Sequence, residues 1–193
     1  MKTMKTLIIN GSPRKNGNTA TLLNELKKHL NGEVRQVDTY YANSSPCYDC
    51  RHCWTNAECI INDEMQDVYK AIDEADNFIV ASPIYFGNLT GSLLNWASRL
   101  QLFWVSRYIL KIEPLSEKHR KGVIILIVNG GTDNIDPAIF AGKDLLKKAR
   151  AECCEIVYWT NDDGANQPST SPSSANLNMD KIIKLADTLN SRK

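Results

Sequence analysis

The feature that most constrains this chain is an alternation of short apolar segments with amphipathic ones. Five segments have the length and the β-branched, apolar content of buried strands, and segments with apolar residues at helical spacing lie between them. The strand-like segments are residues 4–10, 34–40, 77–83, 122–131 and 154–161. Buried strands that alternate with helices form a parallel sheet covered on both faces. The alternation therefore predicts an α/β fold, with residues 1–193 as a single domain.

The segments between the strands carry helix signals. Leu22, Leu23, Leu26 and Leu30 repeat at helical spacing before Gly32. Asp63 with Gln66 three residues later predicts a capping box for the second helix. Asp136 and Pro137 predict the cap and the first turn of a later helix. Two further helices are expected over residues 90–104 and 177–189.

Composition argues against two classes of partner. The 23 Lys and Arg residues nearly balance the 22 Asp and Glu residues, so net charge gives no support for nucleic-acid binding. The longest apolar run, residues 123–128, is far too short to span a bilayer, and the first residues lack a signal-peptide pattern. We therefore expect a cytoplasmic protein with no membrane partner. In that compartment, clustered cysteines more often bind metals or act in redox chemistry than form disulfides.

Three loops are candidates for a ligand site. In an open parallel sheet, ligands bind beyond the carboxyl ends of the strands. That rule selects residues 10–19, 82–88 and 129–136, which are rich in Gly, Asn, Ser and Pro. We expect the three loops to converge on one site.

The first of these loops, "NGSPRKNGNT", has the composition of an anion site. It offers small polar side chains, the cations Arg14 and Lys15, two flexible glycines, and the N-terminus of the helix that follows. Together these groups suit one phosphate. The loop has neither the Walker A pattern nor G-x-G-x-x-G, so ATP and classical dinucleotide binding are not expected. The alternative is a polar turn ahead of a capped helix.

Two motifs resemble a known family. "GSPRKNGNT" after the opening strand, followed by "ASPIYFGNLTGSLLNW", is similar to the flavodoxin-like NAD(P)H-dependent FMN reductases, and the resemblance covers nearly the whole chain. It implies a flavodoxin-like doubly wound, five-stranded parallel sheet with strand order 2-1-3-4-5. It also implies FMN as the cofactor and NAD(P)H as the co-substrate.

The family's cofactor-binding positions transfer to this chain residue by residue. The phosphate would be held by Ser12, Arg14, Asn18 and Thr19, and the isoalloxazine ring would lie along Pro83, Ile84, Tyr85, Phe86 and Asn88. Asn129, Gly130 and Gly131 would complete the ring pocket, although this third loop matches the family only loosely. The alternative for Tyr85 and Phe86 is that they are ordinary core residues at a strand end.

A second feature is a cysteine-rich loop, residues 43–62. Cys47, Cys50, Cys53 and Cys59 have the close spacing of iron–sulfur ligands. The spacing resembles that of the iron–sulfur flavoproteins, a subgroup of the same family, and implies a [4Fe–4S] cluster. Free structural thiols, a zinc site and a disulfide remain as alternatives.

Other residues near the cysteines have simpler expected roles. Arg51 would stabilise negative charge on thiolates or on a cluster. His52 is expected to face solvent, with metal ligation as the alternative. Cys153 and Cys154 are expected to be small buried residues at the start of a strand.

These patterns predict an FMN-dependent oxidoreductase or electron-transfer flavoprotein. It would pass electrons from NAD(P)H or a reduced carrier, with or without the cluster, to a small-molecule acceptor or a redox protein. No catalytic side chain is expected, because His29 and His119 lie outside the three loops and flavin chemistry belongs to the cofactor. The alternative is a non-catalytic flavodoxin-like binding module with a zinc- or thiol-structured cysteine loop.

Assembly into a homodimer or homotetramer is also expected. Trp96, Phe103, Trp104 and Tyr108 supply more aromatic surface than one buried helix face requires. Some of these rings would pack against another subunit, as the family resemblance also implies.

Overall fold

The computed structural model describes residues 3–129, 134–161 and 179–191. The strands are β1 Lys5–Asn10, β2 Glu33–Asp38, β3 Asn77–Pro83, β4 Arg120–Asn129 and β5 Ala151–Asn161. The helices are α1 Asn18–His29, α2 Met65–Glu74, α3 Gly91–Ser98, α4 Gln101–Tyr108, α5 Asp136–Lys148 and α6 Met179–Asn190, with a short 3-10 turn at His52–Trp54.

Over the described residues, the five strands form one parallel sheet in the order β2-β1-β3-β4-β5. This confirms the predicted fold class and strand order. β3, in the middle of the sheet, is buried along its whole length, as its unbroken apolar sequence predicts. Because the strands are parallel, their carboxyl ends meet at one edge, where the three predicted ligand loops begin.

Successive strand residues point to opposite faces of the sheet and create two cores. On one face, Leu7, Phe78 and Ile124 pack beneath α2, α3, α4 and α5. On the other face, Ile8, Ile79 and Val123 pack beneath α1 and α6. Both faces of the sheet are therefore covered, which leaves the strand ends and the loops as the places for a site. None of the helices in the described ranges is long and apolar enough to cross a membrane.

The predicted helix over residues 90–104 is wrong in its continuity. The chain forms α3 and α4 there, and the break falls at Arg99 and Leu100. Apolar spacing predicted one helix because it continues through the break. The sequence pattern could not show that Arg99 is buried and paired with Asp63, a residue of the cysteine loop's far end.

Both predicted helix caps differ from the structure. Asp63 accepts a hydrogen bond from the Met65 N–H at 3.0 Å, but Gln66 does not reach back to complete a capping box. Its amide donates instead to the carbonyls of Cys59 and Ile61, at 2.9 and 2.7 Å. At α5, Asn134 rather than Asp136 supplies the capping oxygen, which accepts from the Asp136 N–H at 2.9 Å.

The prediction that Cys153 and Cys154 are buried is wrong, because both are exposed. Among the described strands, β5 lies at the edge of the sheet and has a strand neighbour on one side only. The β4–β5 register also shifts between Gly122 and Val123, opposite these cysteines. The start of the predicted last helix, residues 177 and 178, lies outside the described residues.

Candidate functional site

The first loop is held against the sheet by its neighbours. The Gly11 N–H donates to the Ala81 carbonyl at 2.8 Å, and the Thr90 hydroxyl donates to the Gly11 carbonyl at 2.7 Å. A Cβ at Gly11 would lie 2.9 Å from the Thr90 hydroxyl oxygen, which explains why glycine stands here. The loop backbone is therefore placed by strand pairing and close packing, before any ligand binds.

Ser12, like Asn10 and Thr19, is a buried polar residue of this loop, and 5% of its surface is exposed. Its N–H donates to the Asn10 side-chain oxygen at 3.0 Å, and Asn10 in turn donates to Asp38 at 2.7 Å. The Ser12 hydroxyl lies 3.3 Å from the Arg14 N–H. These contacts fix Ser12 beside the start of α1.

Among the described residues, no side chain caps the N-terminus of α1, which begins after Gly17. The first N–H groups of a helix have no partner within the helix and carry its positive dipole end. Arg14 is exposed beside them, and Lys15 lies over the Tyr41 ring at 4.5 Å. An anion at this point would meet several N–H donors and a net positive field.

The second loop is a tight turn. Tyr85 and Asn88 exchange backbone hydrogen bonds of 2.9 and 3.0 Å. Phe86 and Gly87 between them have φ of 52° and 71°, the left-handed region in which a bulky side chain is strained. The Phe86 ring is fully exposed at the tip of this turn. Phe86 is therefore not a core residue, and its backbone strain is typical of a functional position.

One cavity of about 80 Å³ joins the two loops at the carboxyl ends of β1, β3 and β4. It is lined by Ser12, Pro13, Arg14, Gly17, Asn18, Thr19, Pro83, Tyr85 and Ile127. All four residues predicted to hold the phosphate are in this set, together with Pro83 and Tyr85 of the predicted ring contacts. Its polar lining and the free end of α1 fit a phosphate group of FMN.

The remaining predicted contacts lie elsewhere or are not described. Ile84, Phe86 and Asn88 belong to the second loop but do not line this cavity. Gly130 and Gly131 lie outside the described residues, and of Asn129 only the backbone, at the end of β4, is described. Asn134, the first residue described after that gap, approaches the second loop: a Cβ at Gly87 would stand 2.8 Å from its carbonyl oxygen.

The cysteine loop follows β2 and turns sharply around Cys50. Asp49 and Arg51, on either side of it, have φ of 53° and 59°. Such left-handed residues in a loop turn successive N–H groups into a concavity, a device common at phosphate and iron–sulfur sites. Arg51 lies over the Trp54 ring at 5.4 Å, and His52 is partly buried with Glu58 at 3.6 Å rather than fully solvent-facing as expected.

The four thiols line one cavity of about 70 Å³ beside α4. Cys47 and Cys50 are exposed, whereas Cys53 and Cys59 are partly buried against the core. Burial raises the pKa of Cys53, and the neighbouring Cys47, Cys50 and Cys59 thiols raise this pKa further. Within the described part of the chain, no three Cys, His, Asp or Glu side chains are arranged to hold a metal ion. Four thiols in one cavity are chemically suited to a sulfur-ligated metal. Because they are not yet arranged to hold one, the loop would have to contract around the metal.

A buried ion pair closes the base of this loop. Arg99, with 1% of its side chain exposed, donates to both carboxylate oxygens of Asp63 at 2.6 and 3.2 Å. Burial alone would raise the pKa of Asp63, but the hydrogen bonds from Arg99 and from the N–H groups of Ser45 and Met65 outweigh it and hold this pKa below its usual value. Burial lowers the pKa of Arg99, and its bonds to Asp63 and nearby negative charges more than offset this effect.

Motif reasoning missed Arg99 and Tyr69. The Tyr69 hydroxyl donates to the Arg99 carbonyl at 3.1 Å, and its pKa is raised mainly by burial and also by the Cys59 thiol beside it. The available signal was a lone arginine within the apolar stretch "LLNWASRLQLFW", where a charge needs a buried partner.

Comparison with known proteins adds a family and several relatives. The family model described as NADPH-dependent FMN reductase matches residues 4–136. This range includes the first loop, the second loop and the cysteine loop. An iron–sulfur flavoprotein of Methanosarcina thermophila is 31% identical over 134 residues, covering 68% of this chain and 65% of that protein. Another from Archaeoglobus fulgidus is 32% identical over 100 residues, covering 50% of this chain and 46% of that protein. This chain thus spans about half to two thirds of the length of these relatives.

A solved structure with the same fold is that of RosB with a bound formylriboflavin phosphate intermediate. Its TM-score is 0.66 at 19% identity, and the match covers 96% of this chain and 76% of RosB. At this identity the match shows the fold alone. The resemblance predicted from the two loop motifs and the cysteine spacing is confirmed by these comparisons.

Proposed function

Because the chain belongs to the NADPH-dependent FMN reductase family, we propose that it is an oxidoreductase that takes electrons from NAD(P)H with FMN as its cofactor. We further propose that Cys47, Cys50, Cys53 and Cys59 hold a [4Fe–4S] cluster. The observation that supports FMN binding is that residues of the first and second loops line one cavity at the carboxyl ends of the strands.

FMN, when bound, supplies transfer of a hydride or of single electrons, and the cluster supplies single-electron transfer. The chain's own residues bind and orient. Ser12, Asn18, Thr19 and the free N–H groups of α1 would hold the phosphate, with Arg14 at the rim. Pro83 and Tyr85 would contact the flavin beyond the phosphate, and the exposed Phe86 would line the path of the nicotinamide or the acceptor.

The cysteine assignment is supported by chemistry and by relatives. The four thiols share one cavity, and two relatives with about a third of residues identical are iron–sulfur flavoproteins. The spacing is that of cluster ligands rather than of the paired knuckles typical of zinc. The acceptor would be a small molecule or a redox protein that reaches this edge of the sheet.

Assembly as a homodimer or homotetramer is part of the proposal. Trp96 and Phe103 are buried in the chain's own core and are not available to a partner. Trp104 and Tyr108 remain at the surface, with ring centroids 5.5 Å apart, as the aromatic pair that a second subunit would cover.

An anaerobic absorption spectrum with iron and acid-labile sulfide assays on the same sample tests the proposal. We expect flavin bands above a broad brown background and about four irons per chain. Flavin bands without iron would leave an FMN reductase with structural thiols. A colourless protein that fails to bind added FMN would overturn the whole proposal in favour of a non-catalytic module.

A further inference from the structure

The cysteine loop depends on a few contacts at its base. Its backbone hydrogen bonds between residues 51 and 58 are local, such as Trp54 to Arg51 and Asn56 to His52. Local bonds of this kind shape a turn but do not place it on the rest of the molecule. Cys53 and Cys59 pack against the core, and Gln66 binds the Cys59 carbonyl. The remaining polar contacts that place the loop lie at its two ends, around Ser45 and residues 61–63.

Arg99 joins those two ends. One terminal nitrogen donates to the Ser45 carbonyl at 2.9 Å, and the other lies 3.4 Å from the Ile61 carbonyl. Both also donate to Asp63, which accepts from the Ser45 N–H at 3.0 Å. Next to Arg99, the Ser98 hydroxyl oxygen accepts the Cys47 N–H at 2.9 Å. The planar fork of an arginine suits this multiple bridging, and a lysine could not reproduce it.

The third nitrogen of Arg99 is left over. In the part of the chain that the structure describes, its buried Nε has no hydrogen-bond acceptor. Arg99 lines the cavity that the four thiols share. A buried N–H without an acceptor is unfavourable and rare, so an acceptor is expected when the site is in its working form. The Tyr69 hydroxyl and the Cys59 sulfur both lie beside the Arg99 side chain. Of these two, the Cys59 sulfur belongs to the cavity that the four thiols share.

We propose that Arg99 is a positioning residue for the cysteine loop: it holds Ser45 and Asp63 together, and its Nε–H donates to a sulfur atom of the group that the cysteines bind. The second half rests on the iron–sulfur site proposed above, and the first half does not. Because Arg99 is already paired with Asp63, its contribution to the bound group is a directed N–H donor more than a net charge.

The first test uses the metal-free full-length protein. Hydrogen exchange of residues 45–63 is compared in wild type, Arg99→Lys and Arg107→Lys. Arg107 is a matched control, because it also binds a carboxylate, Glu113 at 3.0 Å, and it does not line the cysteine cavity. We expect exchange of the Cys47 amide to rise roughly tenfold in Arg99→Lys alone, since the bidentate fork is lost. Equal exchange in wild type and Arg99→Lys would refute the proposal that Arg99 holds the two ends of the loop together.

The second test uses protein loaded anaerobically with iron and sulfide. We expect Arg99→Lys to hold less iron per chain and the loaded fraction to have a lower midpoint potential, because hydrogen bonds to sulfur raise cluster potentials. Asp63→Asn keeps the Arg99 N–H donor but removes the carboxylate that neutralises it, so it should loosen the loop. Any shift in the potential of its loaded fraction should be upward, because loss of a nearby negative charge favours the reduced cluster. Equal shifts in both variants, or no shift in Arg99→Lys, would overturn the donor role.

The two layers of the proposal fail separately. Wild type that takes up no iron would refute the iron–sulfur site and with it the donor role of Arg99. The exchange result would still decide whether Arg99 holds Ser45 and Asp63 together. If wild type loads iron and Arg99→Lys has the same exchange and the same potential as wild type, the role of Arg99 is refuted and the iron–sulfur site is not. If Arg99→Lys fails to fold, exchange in Asp63→Asn decides whether this ion pair holds the loop, because that variant breaks the same Arg99–Asp63 pair.

Discussion

The first loop and the cysteine loop both follow the carboxyl end of a strand, yet they are held in different ways. The first loop is fixed by backbone contacts with its strand neighbours and by the buried Ser12 and Thr19. The cysteine loop leaves the sheet and exposes Cys47 and Cys50. It is joined to the fold by the buried Arg99–Asp63 ion pair, by a few side-chain hydrogen bonds, and by the packing of Cys53 and Cys59 against the core. One half of the comparison, the first-loop cavity, is therefore preformed by the fold, whereas the dependent half, the cysteine loop, relies on side-chain contacts for its position.

The largest expected effect breaks the dependent half alone. Cys50→Ser should reduce iron from about four per chain to almost none, because a cluster needs four thiolate ligands. The FMN content should not change, since Cys50 is exposed and does not line the first-loop cavity. Cys153→Ser, which removes a thiol of similar exposure on β5, is the control. Iron retained in Cys50→Ser, or lost in Cys153→Ser, would refute the ligand assignment.

The next effect concerns the ion pair that holds the loop. Asp63→Asn should lower the free energy of unfolding by about 3 kcal/mol, the typical cost of breaking a buried pair. Asp67→Asn, at an exposed carboxylate that only approaches Lys70 at 3.5 Å, should leave it nearly unchanged. Urea unfolding at neutral pH measures both. A loss no larger than that of Asp67→Asn would show that other contacts hold the loop.

The same carboxylate predicts a pH dependence. The pKa of Asp63 in the folded protein is below its ordinary value of 3.8. A group with a lowered folded pKa stabilises the protein above its unfolded pKa, and this stabilisation is lost as the pH falls through the folded value. Wild-type stability should therefore fall below about pH 4, and the Asp63→Asn profile should be shallower there. Urea midpoints of wild type and Asp63→Asn that fall equally steeply below about pH 4 would contradict this account.

A smaller effect probes the preformed half. Ser12→Ala should weaken FMN binding about tenfold, because it removes one hydrogen bond to a charged phosphate. Iron content should be unchanged. Thr21→Ala is a suitable control, since the Thr21 hydroxyl lies 3.2 Å from the Gly17 carbonyl of its own helix and does not line the cavity. Fluorescence titration of apoprotein with FMN measures the change, and equal affinities for both variants would reject Ser12 as a phosphate ligand.

The smallest effect sharpens the contrast between stability and function. Phe86→Asn should raise the free energy of unfolding by about 1 kcal/mol, because asparagine tolerates the left-handed backbone at φ 52°. The same change should raise the KM for NAD(P)H, because the exposed ring is proposed to line the path of the nicotinamide. Urea unfolding and steady-state kinetics check the two parts. A more stable variant with unchanged KM would mean that the strained ring has no role in the donor's binding.

Sequence reasoning worked best where local pattern and fold agree. The strand over residues 77–83 was predicted with its observed bounds, because a buried central strand is an unbroken apolar run between polar loops. The first two loops were predicted from the same rule that ligands bind beyond the carboxyl ends of parallel strands.

The failures share one physical cause. The break between α3 and α4, the use of Gln66 and the exposure of Cys153 all depend on partners distant in sequence or on the position of a strand in the sheet. The spacing of the four cysteines was visible in the sequence, but the residue that holds their loop, Arg99, stands 36 positions after its partner Asp63. A one-dimensional pattern can show a lone arginine in an apolar stretch, but it does not identify the residue with which that arginine pairs.

That separation also sets an order of events during synthesis. The four cysteines and Asp63 are made before Arg99, and at about 5–20 residues per second the 36 residues from Glu64 through Arg99 take roughly 2–7 s to translate. Through that interval the nascent thiols have no arginine to hold their segment against the sheet. The cysteine pocket is therefore completed only after the chain has been made well past the cysteines themselves, and the metal centre proposed for it would meet a pocket held by Arg99 only from that point on.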